Sequence, residues 1–192
     1  INSKMISING RHLKPSYRVS KDEEVYISIE NGIETEIPPE KIPLSILHED
    51  SSIIVLNKEP GTVVHPGSGN KSGTLANALS YYFGDSHQVE RFGIVHRLDK
   101  NTSGIMVIAK NNKSHKMLSQ QFKDRKVSKI YKAVVWGKTD KSGEISAKIL
   151  RDRYNRTKFN TGSSGRESFT SYKTLNYLEP LSYIELYPLT GR

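Results

Sequence analysis

Gly93–Lys110 reads GIVHRLDKNTSGIMVIAK. An apolar pair, Ile94-Val95, runs into the polar knot His96-Arg97-Leu98-Asp99, and Asn101-Thr102-Ser103-Gly104 then supplies residues that favour a turn. Ile105-Met106-Val107-Ile108-Ala109 is a short apolar run of the kind that forms a buried strand. A carboxylate, Asp99, and a guanidinium, Arg97, therefore sit on a loop held between hydrophobic anchors, a common setting for chemistry. On pattern alone the pair has an equally ordinary use, since an Asp beside Asn-Thr-Ser-Gly often bonds local backbone and an Arg can pair with it.

Working outward, Ser52–Asn57 (SIIVLN) reads as another buried strand, followed by the turn Lys58-Glu59-Pro60-Gly61. Thr62-Val63-Val64 leads to a second turn at His65-Pro66-Gly67. Ser72 can cap a helix whose Leu75, Ala76, Leu79 and Tyr82/Phe83 share a face, with Gly84 as its stop. Ser114–Phe122 has helical spacing. Residues 127–136, 143–150, 168–178 and 181–189 read as strands. Strands outnumber helices and the later ones follow closely, which predicts an α+β fold with a mixed, largely antiparallel sheet and packed helices.

Upstream, Met5–Gly10 reads as a strand ending in an Asn-Gly turn, and Val25–Ile29 alternates as a second strand. Glu34–Lys41, with Pro38-Pro39, reads as a stiff linker. The expected division is 1–33, a small N-terminal module; 34–48, a linker; and 49–192, the main domain. Both ends fall within or just beyond strand-like sequence, so the chain reads as a fragment.

Composition narrows the partners. Lysines and arginines number 29 against 20 acids, a net charge of +9, which points to a polyanion. There are no cysteines, so disulfides, thiolate metal sites and cysteine nucleophiles are excluded. No run approaches the roughly 18 apolar residues of a membrane span.

Several motifs fail on inspection. Asp99, Asn101, Ser103 and Gly104 match the start of a calcium loop, but Lys110 stands where the closing Glu belongs. Gly67–Ser72 lacks phosphate-loop spacing. The six histidines lack zinc spacing, so no metal is expected. Arg151, Arg153, Arg156 and Lys158 interleave with Tyr154 and Phe159, a mixture that suits phosphate contact and base stacking but also an ordinary solvated loop. Arg166 follows the flexible tip Gly162–Gly165.

The wording HRLDKNTSG resembles the signature of the RluA-type RNA pseudouridine synthases. Ile53–Gly67 (IIVLNKEPGTVVHPG) resembles the opening of that family's catalytic domain, and Lys129–Val135 (KIYKAVV) its second motif. Residues 151–158 and 165–170 resemble its basic strand and hairpin, and Leu189-Thr190-Gly191-Arg192 the start of its third motif. Residues 1–33 resemble the tail of an S-four-like RNA-binding module; an ordinary edge hairpin is the alternative.

The resemblance implies a pseudouridine synthase fold and isomerisation of uridine in structured RNA. Large-subunit ribosomal RNA is the expected substrate and transfer RNA the alternative. Asp99 is then the catalytic carboxylate, acting on the ribose, on the uracil ring, or through a glycal. Arg97, Tyr131 and Arg192 are implied substrate contacts: Arg97 at the vacated stack or a phosphate, Tyr131 against the flipped base, Arg192 paired with Asp99. His96, Arg151, Arg156, Lys158 and Arg166 are implied RNA contacts, with a turn-stabilising role equally open to His96. No cofactor is required, because the change is redox-neutral. A cytoplasmic monomer is expected. The competing reading is a non-catalytic RNA-binding or ribosome-assembly module on the same fold.

Overall fold

The computed structural model describes residues 6–14, 16–27, 37–67, 69–84, 86–152, 154–155 and 158–191. Arg192, Arg156 and Arg153 lie outside the described residues, as do the expected strand residues Met5, Ser28 and Ile29.

Two short strands, β1 (Ile6–Ile8) and β2 (Val25–Ile27), pair antiparallel. The Asn-Gly turn forms as expected, with Asn9 and Gly10 both at positive φ, but it folds Ile8 back onto Arg11 rather than directly onto β2.

The core is built on a three-stranded antiparallel sheet in the order β3 (Ile46–Glu49), β4 (Ile53–Lys58), β5 (Gly104–Ala109). Side chains alternate across a strand, so Ile54 and Leu56 of β4 and Met106 and Ile108 of β5 turn inward and are essentially fully buried. Helix α1 (Leu75–Phe83) covers this face with Leu75, Ala76 and Leu79, and Val64, Ile94 and Leu98 complete the cluster.

Helix α1 is capped two residues later than Ser72 implies. Thr74 caps it and Asn77 reciprocates, a capping box in which Asn replaces the usual Glu or Gln. Gly84 ends it as expected. Helix α2 (Asn112–Lys123), capped by Asn111, packs near β5 with no fully buried residue.

The second sheet has five strands in the order β6 (Tyr131–Trp136), β10 (Leu181–Pro188), β9 (Arg166–Leu178), β7 (Ser142–Arg151), β8 (Phe159–Thr161), all antiparallel. The strand expected from residue 127 starts at Tyr131.

The expected linker is not a free spacer where it is described. Asn77 Nδ2 donates to the Pro38 carbonyl at 2.9 Å, Ser80 Oγ donates to that of Ile37 at 3.1 Å, and Glu40 accepts from the Gly73 amide. Residues 46–49 form β3. The prolines that suggested a spacer instead leave carbonyls free to bond α1.

Candidate active site

The loop carrying Asp99 is fixed from several sides. Ile94 bridges to Ile108 of β5, and Leu98 is 7% exposed in the core, so the residues on either side of Arg97 are anchored while Arg97 and Asp99 face solvent. The Asp99 carbonyl accepts the Thr102 amide at 3.1 Å, closing the turn that leads into β5.

Lys58 supplies the strongest brace. It is 2% exposed, and its Nζ donates to the carbonyls of Glu59 (2.9 Å), Thr62 (2.9 Å) and Lys100 (3.2 Å). The Gly61 amide donates to the same Lys100 carbonyl at 2.7 Å. An ammonium has three donors, and here all three are used. Burial lowers the Lys58 pKa, while the charge of Asp99, and then that of Glu59, opposes the fall. A buried cation is thus held within electrostatic reach of the exposed carboxylate. The sequence reading treated Lys58 only as a turn residue. The alternation Ile54, Leu56, Lys58 was the signal, because it puts the lysine on the inward face of β4.

Tyr131, at the start of β6, packs partly buried against the core cluster. Burial first, and the Asp99 charge second, raise its phenol pKa, so it stays protonated near neutral pH. Asp99, Lys58 and Tyr131 come from three separate segments, and the Asp99 charge acts on both of the others. Arg97 is exposed and, with Arg91, bears on His65. Burial chiefly, then those two guanidinium groups, push His65 down to about 4, so its ring is neutral.

His96 is differently employed. Its Nε2 accepts the Val107 amide at 3.1 Å and its ring stacks on Phe122 of α2 at 4.5 Å. Burial, helped by Lys129, lowers its pKa to about 4, which keeps that nitrogen an acceptor. Of the two roles left open for His96, these bonds supply the structural one.

The basic hairpin stands apart. Asp152 organises its loop by accepting the Tyr154 and Asn155 amides and Asn160 Nδ2. Arg151 lies over the Phe159 ring at 4.8 Å, Tyr154 is fully exposed, and Lys158 and Arg166 are exposed. Register puts Tyr131 level with Leu186 and Tyr172, while Arg166 pairs with Ile149. Arg166 is therefore six residues along β9 from the Tyr131 row, about 20 Å at strand rise. These residues do not join the Asp99 cluster; they extend the surface away from it.

With this geometry in view, the sequence profile described as RNA pseudouridylate synthase matches residues 52–192. The chain belongs to this family. An uncharacterised RNA pseudouridine synthase of Aquifex aeolicus is 42% identical over 180 residues, 91% of this chain and 57% of that protein. Ribosomal large subunit pseudouridine synthase D of Buchnera aphidicola subsp. Baizongia pistaciae is 39% identical over 193 residues, covering 100% of this chain and 61% of its own length. The solved structure of human RNA pseudouridylate synthase domain containing 1 superposes with a TM-score of 0.64 at 28% identity, covering 81% of this chain and 63% of that one. The chain thus spans about three-fifths of the length of the relatives it matches. The RluA-type resemblance and the α+β, largely antiparallel pseudouridine synthase fold are both borne out.

Proposed function

We propose that this protein isomerises specific uridines of structured RNA to pseudouridine, with Asp99 as the essential carboxylate and large-subunit ribosomal RNA as the substrate. The observation that carries the reading is the convergence of an exposed Asp99 with buried Lys58 and half-buried Tyr131 on a loop anchored by Leu98. A surface carboxylate of a protein bearing +9 charge has no use in merely gripping a polyanion, but a placed, ionised carboxylate is what nucleophilic or proton-abstracting chemistry needs. Relatives named for the large ribosomal subunit support that choice of RNA.

The reaction breaks the bond from the anomeric carbon to N1, turns the uracil, forms a bond from the anomeric carbon to ring carbon 5, and moves a proton off that carbon while the freed N1 takes one up. Electrons balance within the nucleoside, so no cofactor enters. The base must leave its stack to reach Asp99. Arg97, exposed and planar, is suited to the vacated stack or to a flanking phosphate. Tyr131, neutral and beside Asp99, offers a ring face to the uracil. Lys58 holds the loop and adds a fixed positive charge within electrostatic reach of Asp99. Arg151, Lys158 and Arg166 contact RNA farther from the target, and residues 1–33 add to that grip. A cytoplasmic site of action accords with this substrate; no helix among the described residues is long and apolar enough to cross a membrane.

The test is release of tritium from carbon 5 of uridine in ribosomal RNA by the full-length protein. Wild type releases label, and Asp99→Asn releases none while still binding RNA. A wild type as silent as Asp99→Asn, with RNA binding intact, would instead establish the binding-only reading.

A further inference from the structure

Between the turn Glu90–Gly93 and helix α2 lies an open groove of about 450 Å³, lined by Ile94 and Val95 of the catalytic segment and by Arg91, His115, Lys116 and Lys123. We infer that this groove is a phosphate track for the RNA strand adjoining the target uridine, with Arg91, Lys116 and Lys123 as its charges. The inference rests on the proposed function for its ligand class and adds a surface that none of the motif residues identifies.

Three independent observations support it. First, helix α2 carries no Asp or Glu at all between Asn112 and Lys123, while holding three lysines and a histidine. Lys123, in the last turn, also complements the helix dipole, whereas Lys116 lies too far inside the helix to do so. Lys116 and Lys123, seven residues apart, form a stripe about 10 Å long on the groove side. Glu90 also lines the groove, yet among the described residues Arg91, Lys116 and Lys123 have no carboxylate within ion-pair distance.

Second, Arg91 is held in a costly conformation. Arg91 and Phe92 both adopt φ 53°, ψ 33°, the left-handed region that ordinary residues avoid, and Gly93 follows at φ 76°. Such residues persist where surrounding structure over-determines them, and they gather at ligand clamps. Phe92 packs against the core, and Gly93 lies so close to β5 that a Cβ would fall 1.9 Å from the Ala109 carbonyl oxygen. The turn is thereby locked with Arg91 outside, at the groove mouth.

Third, the groove is continuous with the catalytic loop. Val95 lines it and Arg97 lies two residues on. The charges of Arg91 and Arg97 both act on His65, so the two lie in one electrostatic neighbourhood. A strand leaving a flipped nucleotide at Asp99 would pass Arg97, then Arg91, then α2.

The experiment uses the full-length protein and ribosomal RNA fragments. It compares Arg91→Gln, the double variant Lys116→Gln/Lys123→Gln, and the control Lys113→Gln, which does not line the groove. Each phosphate contact contributes about 0.7 to the slope of log affinity against log salt for a single strand. The double variant should lose about 1.4 of that slope and Arg91→Gln about 0.7. KM should rise severalfold in both with kcat little changed. Lys113→Gln should change neither slope nor KM. Unaltered slopes and KM in the groove variants, or an equal loss in Lys113→Gln, would overturn the track. Failure of the catalytic reading shows separately, as Asp99→Asn retaining turnover, because the salt slope reports binding whether or not chemistry follows.

Discussion

Lys58 Nζ donates to the carbonyl of Lys100, one residue past Asp99, at 3.2 Å, across 42 positions of sequence. The same ammonium bonds Glu59 and Thr62, so the strand–turn after β4 and the carboxylate loop before β5 are tied by one cation. Burying a lysine without these bonds would be costly; with them it becomes a brace and a charge at once. Lys58→Met keeps the volume but takes the ammonium from the Glu59 and Thr62 carbonyls and leaves that of Lys100 with the Gly61 amide alone. We expect a loss of about 2–4 kcal/mol in stability and a fall in kcat larger than any rise in KM, measured by urea denaturation and steady-state turnover. A variant as stable and fast as wild type would remove Lys58 from the site.

Leu98 sits between the two charged residues that face solvent and points the other way, into the cluster of Leu56, Leu79 and Met106. Leu98→Ala should destabilise the protein by about 2–4 kcal/mol, the usual cost of deleting a buried leucine. Turnover should also fall at temperatures where the variant remains folded, since Asp99 loses its anchor. Activity equal to wild type at low temperature would show that backbone bonds alone position the carboxylate.

Gly93 combines φ 76° with the tight approach to Ala109. Gly93→Ala must either push β5 away or flip the turn, and we expect a destabilisation of about 3 kcal/mol or more. Gly10 is the comparison: it too has positive φ, but nothing lies within 4 Å of its added Cβ. Gly10→Ala should cost about 1 kcal/mol, from the backbone alone. Equal costs at the two positions, read from denaturation curves, would show that steric approach is not what matters at Gly93.

His65 and His96 are both held neutral, at about 4. In the unfolded chain they titrate near 6.5, so between about pH 6.5 and 4 the unfolded state binds more protons, and stability falls as pH falls through that window. Carboxylates whose pKa values are lowered by bonds in the fold, such as Glu49 with Lys110 and Tyr82, add their own loss only in the lower part of it. His96→Gln should remove part of the slope between pH 6.5 and 5. It should also lower stability at pH 7 by about 1–2 kcal/mol, through the altered bond to Val107 and the lost stacking on Phe122. An unchanged pH slope, measured by thermal melting across that range, would show that His96 is not titrating on unfolding.

Much of this protein was legible as a string. Buried strands such as β4 and β5 and the stop of α1 at Gly84 follow from local rules, because apolar runs and glycine act within a few residues of themselves. The HRLDKNTSG wording pointed to Asp99, and KIYKAVV to Tyr131. What the sequence could not disclose depended on contacts between distant segments. Lys58 reads as one more turn lysine until β4 and the Asp99 loop are folded together. His96 looks like an RNA contact until Val107 and Phe122 close around it. β3 hid in a proline-rich stretch because its pairing with β4, not its own propensity, makes it a strand. Sequence by itself determined the family the chain belongs to and the residues the proposed chemistry would use. Tertiary structure decided which charges are buried, which are braced and which face the open groove, because burial and electrostatic reach depend on distance in space rather than along the chain.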